Sequence, residues 1–210
     1  LIHPFDHRDV VLGQGTLGLE ILDDRPDVET IIVGIGGGGR IAGVAAAAKA
    51  RAAAEGRTVR IVGVQSENAA SYVASLAEGH PVSIQTRPTI ADGILVGRPG
   101  DVPFALISDL VDEVVTVSDD DIARAILALV ERAKIVAQRL LPTAVATASA
   151  IHCPVPLRTL PESCRMLMSN IACASHAPSI APSSCAAWRP PPRPADCRAR
   201  SGRAPSGAHP

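Results

Sequence analysis

Five consecutive residues, Gly36, Gly37, Gly38, Gly39 and Arg40, are the part of this 210-residue chain whose types and spacing best suit chemistry. They follow an apolar run, Thr30, Ile31, Ile32 and Val33, and precede an alanine-rich run over residues 41–54. A strand, a glycine turn and a helix in that order aim backbone N–H groups outward at the positive end of a helix dipole, which is a cradle for phosphate. Without Cβ atoms the turn can take positive φ and let a ligand approach the backbone closely. Residues 34–39 also satisfy G-x-G-x-x-G, the dinucleotide fingerprint, and Glu67 lies near the end of the next strand, where an acid could reach a ribose. Four glycines in a row meet that pattern easily by accident. A turn that only packs a helix on a sheet needs fewer of them, because each costs backbone entropy. The residues therefore point to a bound phosphate and leave open whose it is.

The elements that must position this loop are read from periodicity. Short β-branched runs at 30–33, 59–64 and 111–117 predict buried strands. Residues 39–54, 67–78 and 119–136 predict helices. The last opens on Ser118 followed by Asp119, Asp120 and Asp121, an N-cap with acids at the positive end of the dipole. Strands alternating with helices predict an α/β fold with a parallel sheet flanked by helices.

Composition divides the chain. Residues 1–138 hold 12 basic and 19 acidic residues, whereas 139–210 hold 8 arginines and 2 acids. All five cysteines and 12 of the 18 prolines lie in the second stretch, and both lysines in the first. Proline at that density blocks helices and ladders, so residues 138–210 are expected to be a disordered tail. Cysteine spacings of 11, 9, 12 and 12, without C-x-x-C, argue against zinc. The arginines of the tail have a single aromatic beside them, which argues against nucleic acid. No apolar run approaches the ~20 residues of a membrane span, and no secretory signal opens the sequence.

Seven motifs, the glycine run among them, occur in order: His3-Pro4-Phe5-Asp6; Gly13-Gln14-Gly15-Thr16 with Glu20; the glycine run; Gly63-Val64-Gln65-Ser66-Glu67-Asn68; Thr89-Ile90-Ala91-Asp92-Gly93; Arg98-Pro99-Gly100; and Leu110-Val111-Asp112-Glu113. Over residues 1–137 the chain resembles threonine dehydratase (threonine ammonia-lyase), a pyridoxal-phosphate enzyme of the tryptophan-synthase-β fold, also called fold type II. The resemblance implies that Gly36, Gly37, Gly38, Gly39 and the Arg40 backbone hold the phosphate of pyridoxal 5′-phosphate, with Gly93 near its ring. Arg40 departs from the family's usual Leu or Met. Gln65 stands where metal-binding relatives carry an acid, with Ala69 and Ser71 downstream, so no metal is expected. His3 and His7 are expected to be structural.

The resemblance further implies a small amino-acid substrate, threonine or serine, a cytoplasmic homo-oligomeric parent, and a place in amino-acid metabolism such as isoleucine biosynthesis. Its chemistry requires a Schiff-base lysine, carried in the family by a Ser-Phe-Lys-x-Arg-Gly segment upstream of the part matched here, and a Ser-Gly-Asn-His segment that holds the substrate carboxylate. Lys49 and Lys134 match neither position. Residues 1–137 are thus expected to be a partial cofactor-binding domain, truncated at the N-terminus, poorly stable and catalytically inactive. Residues from about 138, where the family pattern stops, are expected to be translated out of frame. A nicotinamide-linked oxidoreductase and a non-catalytic phosphate-binding remnant are the alternative readings.

Overall fold

A computed structural model describes residues 3–134 and 171–174. Three parallel strands form the sheet: β1 (Thr30–Gly34), β2 (Arg60–Ser66) and β3 (Glu113–Val117). Their order is β3-β2-β1, with a fourth strand, β4 (Ile171–Ala174), antiparallel against the free side of β1. Ile32 pairs with Val62, and Val62 with Glu113. The expected tail and out-of-frame segment lie outside the described residues, apart from β4.

β1 is buried along its whole length, as a strand covered on both faces must be. Among the described residues five α-helices surround the sheet: α1 (Arg8–Asp24), α2 (Gly39–Ala54), α3 (Ser71–Glu78), α4 (Asp101–Leu110) and α5 (Asp119–Ala128). α2 presents Ile41, Val44, Ala45, Ala48 and Ala52 to the core, where they join Ile31, Val33, Ile61 and Val114. Each fully buried Ile or Val contributes about 1.5–3 kcal/mol by leaving water.

Small residues set the distance between α1 and α2. A Cβ on Gly43 would stand 2.3 Å from the Val11 carbonyl oxygen and 2.7 Å from the Gly15 nitrogen. A Cβ on Gly18 would meet the Val44 carbonyl at 2.8 Å. The Gly13-Gln14-Gly15-Thr16 motif therefore lies in a helix, where Gly15 permits a close crossing.

Two helices escape the periodicity reading, α1 and α4. The stretch expected as one helix over 67–78 is instead a 3₁₀ turn, Glu67–Ala69, followed by α3. The Gln65 side chain explains the break: buried at the end of β2, its Oε1 accepts the Tyr72 N–H at 2.9 Å, inside the first turn of α3. The helix expected over 119–136 is α5 followed by a π-helical turn, Leu129–Ala133, ending at Lys134 with φ 57°. Ser118 caps α5, its Oγ accepting the Asp121 N–H at 3.2 Å.

Candidate functional site

The loop between β1 and α2 opens onto a cavity of about 220 Å³. Gly36, Gly37, Gly38, Gly39, Arg40 and Gly93 all line it, with Pro4, Phe5, Gln14 and Ile94 among their neighbours. The six residues expected at the site are thus brought together, although Gly93 comes from a separate 3₁₀ turn, Asp92–Ile94.

Local geometry requires glycine in this loop. Gly38 has φ 96°, and a Cβ there would fall 1.9 Å from the Tyr72 hydroxyl. A Cβ on Gly37 would fall 2.1 Å from the Phe5 ring. The first helical bond of α2 runs from the Ala42 N–H to the Gly38 carbonyl, 3.0 Å. The N–H groups of Gly39, Arg40 and Ile41 precede it, so no carbonyl of their own helix reaches them. α2 has no acid in its first turn. It has Arg40 instead, a cation at the end of the dipole where an anion is favoured. Arg40 is half-buried, its Nε donates to Gln14 Oε1 at 3.2 Å, and burial lowers its pKa.

Distant motifs converge on the loop from behind. Gly37's carbonyl accepts from the Tyr72 hydroxyl at 3.1 Å and the Gly100 N–H at 3.3 Å. Asp6 Oδ1 accepts the Val102 N–H at 2.9 Å, which fixes the start of α4 beside Gly100. Burial first, then the Asp6 carboxylate, raise the Tyr72 hydroxyl above its ordinary pKa. It therefore stays a protonated donor. His3 Nδ1 accepts the Asp6 N–H at 2.8 Å, and His7 Nδ1 accepts the Asp9 N–H at 3.2 Å, capping α1. Both fill structural places in the described chain.

The other singled-out residues lie elsewhere. Lys49 Nζ pairs with Asp112 Oδ1 at 2.7 Å, and Asp112 Oδ2 accepts the Ile61 N–H. Lys134 is exposed. Neither lysine lines the cavity, and neither does Glu67, which is exposed. Gln65 and Ser71 bond each other at 3.4 Å. Among the described residues no group of three or more His, Cys, Asp or Glu gathers. The cysteine tail lies outside the described residues, except Cys173 in β4. Sequence reasoning did not name Tyr72 or Ile94 as neighbours of the loop. The signal for Tyr72 was present, since it is the chain's single tyrosine, in a short apolar helix.

A strand, a glycine-built turn and a helix N-terminus opening on a cavity define an α/β domain suited to a phosphate ester. Over residues 1–155 the chain matches the family described as pyridoxal-phosphate dependent enzyme, and it belongs to that family. It is 48% identical to the L-threonine ammonia-lyase of Thermotoga maritima over 137 residues, covering 65% of this chain and 33% of that protein. It is 44% identical to the catabolic L-threonine dehydratase TdcB of Escherichia coli K12, also over 137 residues, with 65% and 40% covered. Among solved structures, the processed form of threonine deaminase isoform 2 from Solanum lycopersicum superposes with a TM-score of 0.67 at 38% identity, covering 71% of this chain and 42% of that one. Maize serine racemase gives 0.66 at 36% identity, with 70% and 44% covered. The chain thus spans about a third to two fifths of these curated relatives. The fold is that of the fold-type-II pyridoxal-phosphate enzymes, and the family's cofactor is pyridoxal phosphate. No helix among the described residues is long and apolar enough to cross a membrane.

Proposed function

We propose that residues 1–137 are the phosphate-holding part of a pyridoxal-phosphate-dependent ammonia-lyase whose substrates are threonine and serine. The observation that carries this is the cavity at the N-terminus of α2, lined by Gly36, Gly37, Gly38, Gly39, Arg40 and Gly93 in a chain of this family. The residues fit a phosphate. Three first-turn N–H groups have no helical partner, and Arg40 places a positive charge where the dipole is already positive. An anion there relieves both. Gly93, where a Cβ would meet nothing within 4 Å, leaves room beside the loop for a flat ring.

The bound group supplies an electron sink for the charge left when a proton leaves the substrate's Cα. The chain's own residues hold and orient. The N–H groups of the loop fix the phosphate end, Phe5 packs against Gly37 in the cavity wall, and the Gln14–Arg40 bond holds the arginine side chain against α1. The threonine and serine assignment is supported by the names of the curated relatives. The resemblance also underlies the proposal of a cytoplasmic, homo-oligomeric parent.

The 210 residues tested alone are proposed to be inactive. Lys49 is held by Asp112, Lys134 is exposed, and neither faces the cavity. A chimera tests the assignment. Residues 1–137 of this chain replace the matching stretch of the Thermotoga maritima L-threonine ammonia-lyase, and 2-oxobutanoate released from threonine is measured. The chimera is expected to keep threonine turnover and to lose it with Gly38→Ala. The 210-residue chain is expected to release no 2-oxobutanoate above free cofactor. A folded, cofactor-loaded chimera that ignores threonine and serine overturns the substrate assignment. Turnover by the isolated chain overturns its inactivity.

A further inference from the structure

Tyr72 stands behind the glycine loop, fully buried in α3. Its ring stacks on Phe104, with centroids 6.3 Å apart and planes at 29°. Its backbone N–H is held by Gln65 and its hydroxyl by the Gly37 carbonyl. Packing alone does not require that hydroxyl, since phenylalanine would fill the same space. A buried hydroxyl is costly unless it is hydrogen-bonded, so its partner is informative.

Peptide planarity gives the partner its meaning. In a trans peptide the C=O of one residue and the N–H of the next point in opposite directions. The Gly37 carbonyl is pinned by Tyr72 and by the Gly100 N–H. The Gly38 N–H therefore points away from both. Gly37 and Gly38 line the cavity, whereas Tyr72 and Gly100 lie outside its lining. The absent side chain of Gly38 is matched to the same hydroxyl, which occupies the place its Cβ would need.

We infer that Tyr72 is a positioning residue of the cradle: its hydroxyl, acting through the Gly37 carbonyl, aims the Gly38 N–H at a phosphate ester in the cavity. This rests on the phosphate-cradle reading above. It adds a donor from outside the site that selects for phosphate without touching it.

The test uses the full 210-residue chain and two probes, pyridoxine 5′-phosphate and pyridoxine, neither of which has an aldehyde to react with lysine. Calorimetric affinities give a phosphate preference, the ratio of the two dissociation constants. Loosening of the fold weakens both probes alike, whereas misdirection of the cradle lowers only the ratio. Tyr72→Phe is expected to lower it about 3–10-fold, the loss of one hydrogen bond's orienting effect, and Gly38→Ala to abolish it. A Tyr72→Phe chain with the wild-type ratio, beside a Gly38→Ala chain without preference, overturns the role of Tyr72 and leaves the cradle standing. A wild-type chain with no preference overturns the cradle and the inference together. Because Tyr72 is the single tyrosine, 3-fluorotyrosine labelling gives a second reading without changing the sequence. Its ¹⁹F resonance is expected to shift with pyridoxine 5′-phosphate and not with pyridoxine. A resonance that stays fixed at saturation overturns the inference.

Discussion

The two ends of α2 use the same backbone device for different purposes. At its start Gly38 takes φ 96°, and just past its end Gly56 takes φ 72°. Around Gly56 there is open space, with nothing within 4 Å of an added Cβ, while around Gly38 the hydroxyl of Tyr72 and the ring of Pro103 fill it. The far end is finished by charged side chains. Arg51 and Arg57 both bond Glu55, and Arg51 reaches Asp23 at 3.4 Å. The near end is finished by backbone and by the buried Tyr72 hydroxyl, and its charged side chain, Arg40, bonds a neutral partner, Gln14. A positive φ at Gly56 is chain punctuation, which a side chain strains only locally. At Gly38 it is part of a surface shaped from both sides, cavity in front and tyrosine behind.

The sharpest break of that comparison is one substitution made twice. Gly38→Ala combines a left-handed backbone with an overlap on Tyr72, and about 2–5 kcal/mol of stability should be lost. Gly56→Ala carries the backbone strain alone, and about 1 kcal/mol is expected. Urea midpoints of the two variants measure the gap. Equal losses would mean that Gly38 is punctuation too.

A smaller effect separates the buried tyrosine from the exposed charges. Tyr72 keeps its proton more tightly in the folded chain than in the unfolded one, where its pKa is about 10. The folded state therefore binds more protons above that value, and this part of the stability is lost as pH rises beyond about 10. Tyrosinate absorbance near 295 nm is expected to appear only with unfolding, and Tyr72→Phe should flatten the fall in urea midpoint over pH 9.5–11. Absorbance that rises at an ordinary tyrosine pKa in the folded chain would show the hydroxyl open to water.

Much of this arrangement is legible in the sequence for physical reasons. β1 is a short β-branched run and α2 a long alanine-rich one, and the glycine run has few uses besides close approach. Ser118 ahead of three aspartates marks a helix start correctly. α1 was hidden because Gly13, Gly15 and Gly18 interrupt its apolar pattern and lower helix propensity, whereas Gly15 and Gly18 serve a close helix crossing. α4 was hidden behind Arg98-Pro99-Gly100, and Pro103 sits in its first turn, where a missing N–H costs nothing. The support behind the loop was not legible, because Asp6, Tyr72 and Gly100 are separated by tens of residues and meet only through the fold. Gln65 could be seen as a non-acidic residue, but its work as a tether for α3 depends on where β2 ends.

The central claim is that the glycine loop receives a phosphate ester. Titrating pyridoxine 5′-phosphate into chain labelled with [¹⁵N]glycine tests it most directly. The amides of Gly36, Gly37, Gly38 and Gly39 are predicted to shift and saturate together, with Gly93 following, while Gly13, Gly56 and Gly79 stay in place. Saturable binding that leaves those four glycine amides unmoved would contradict the account.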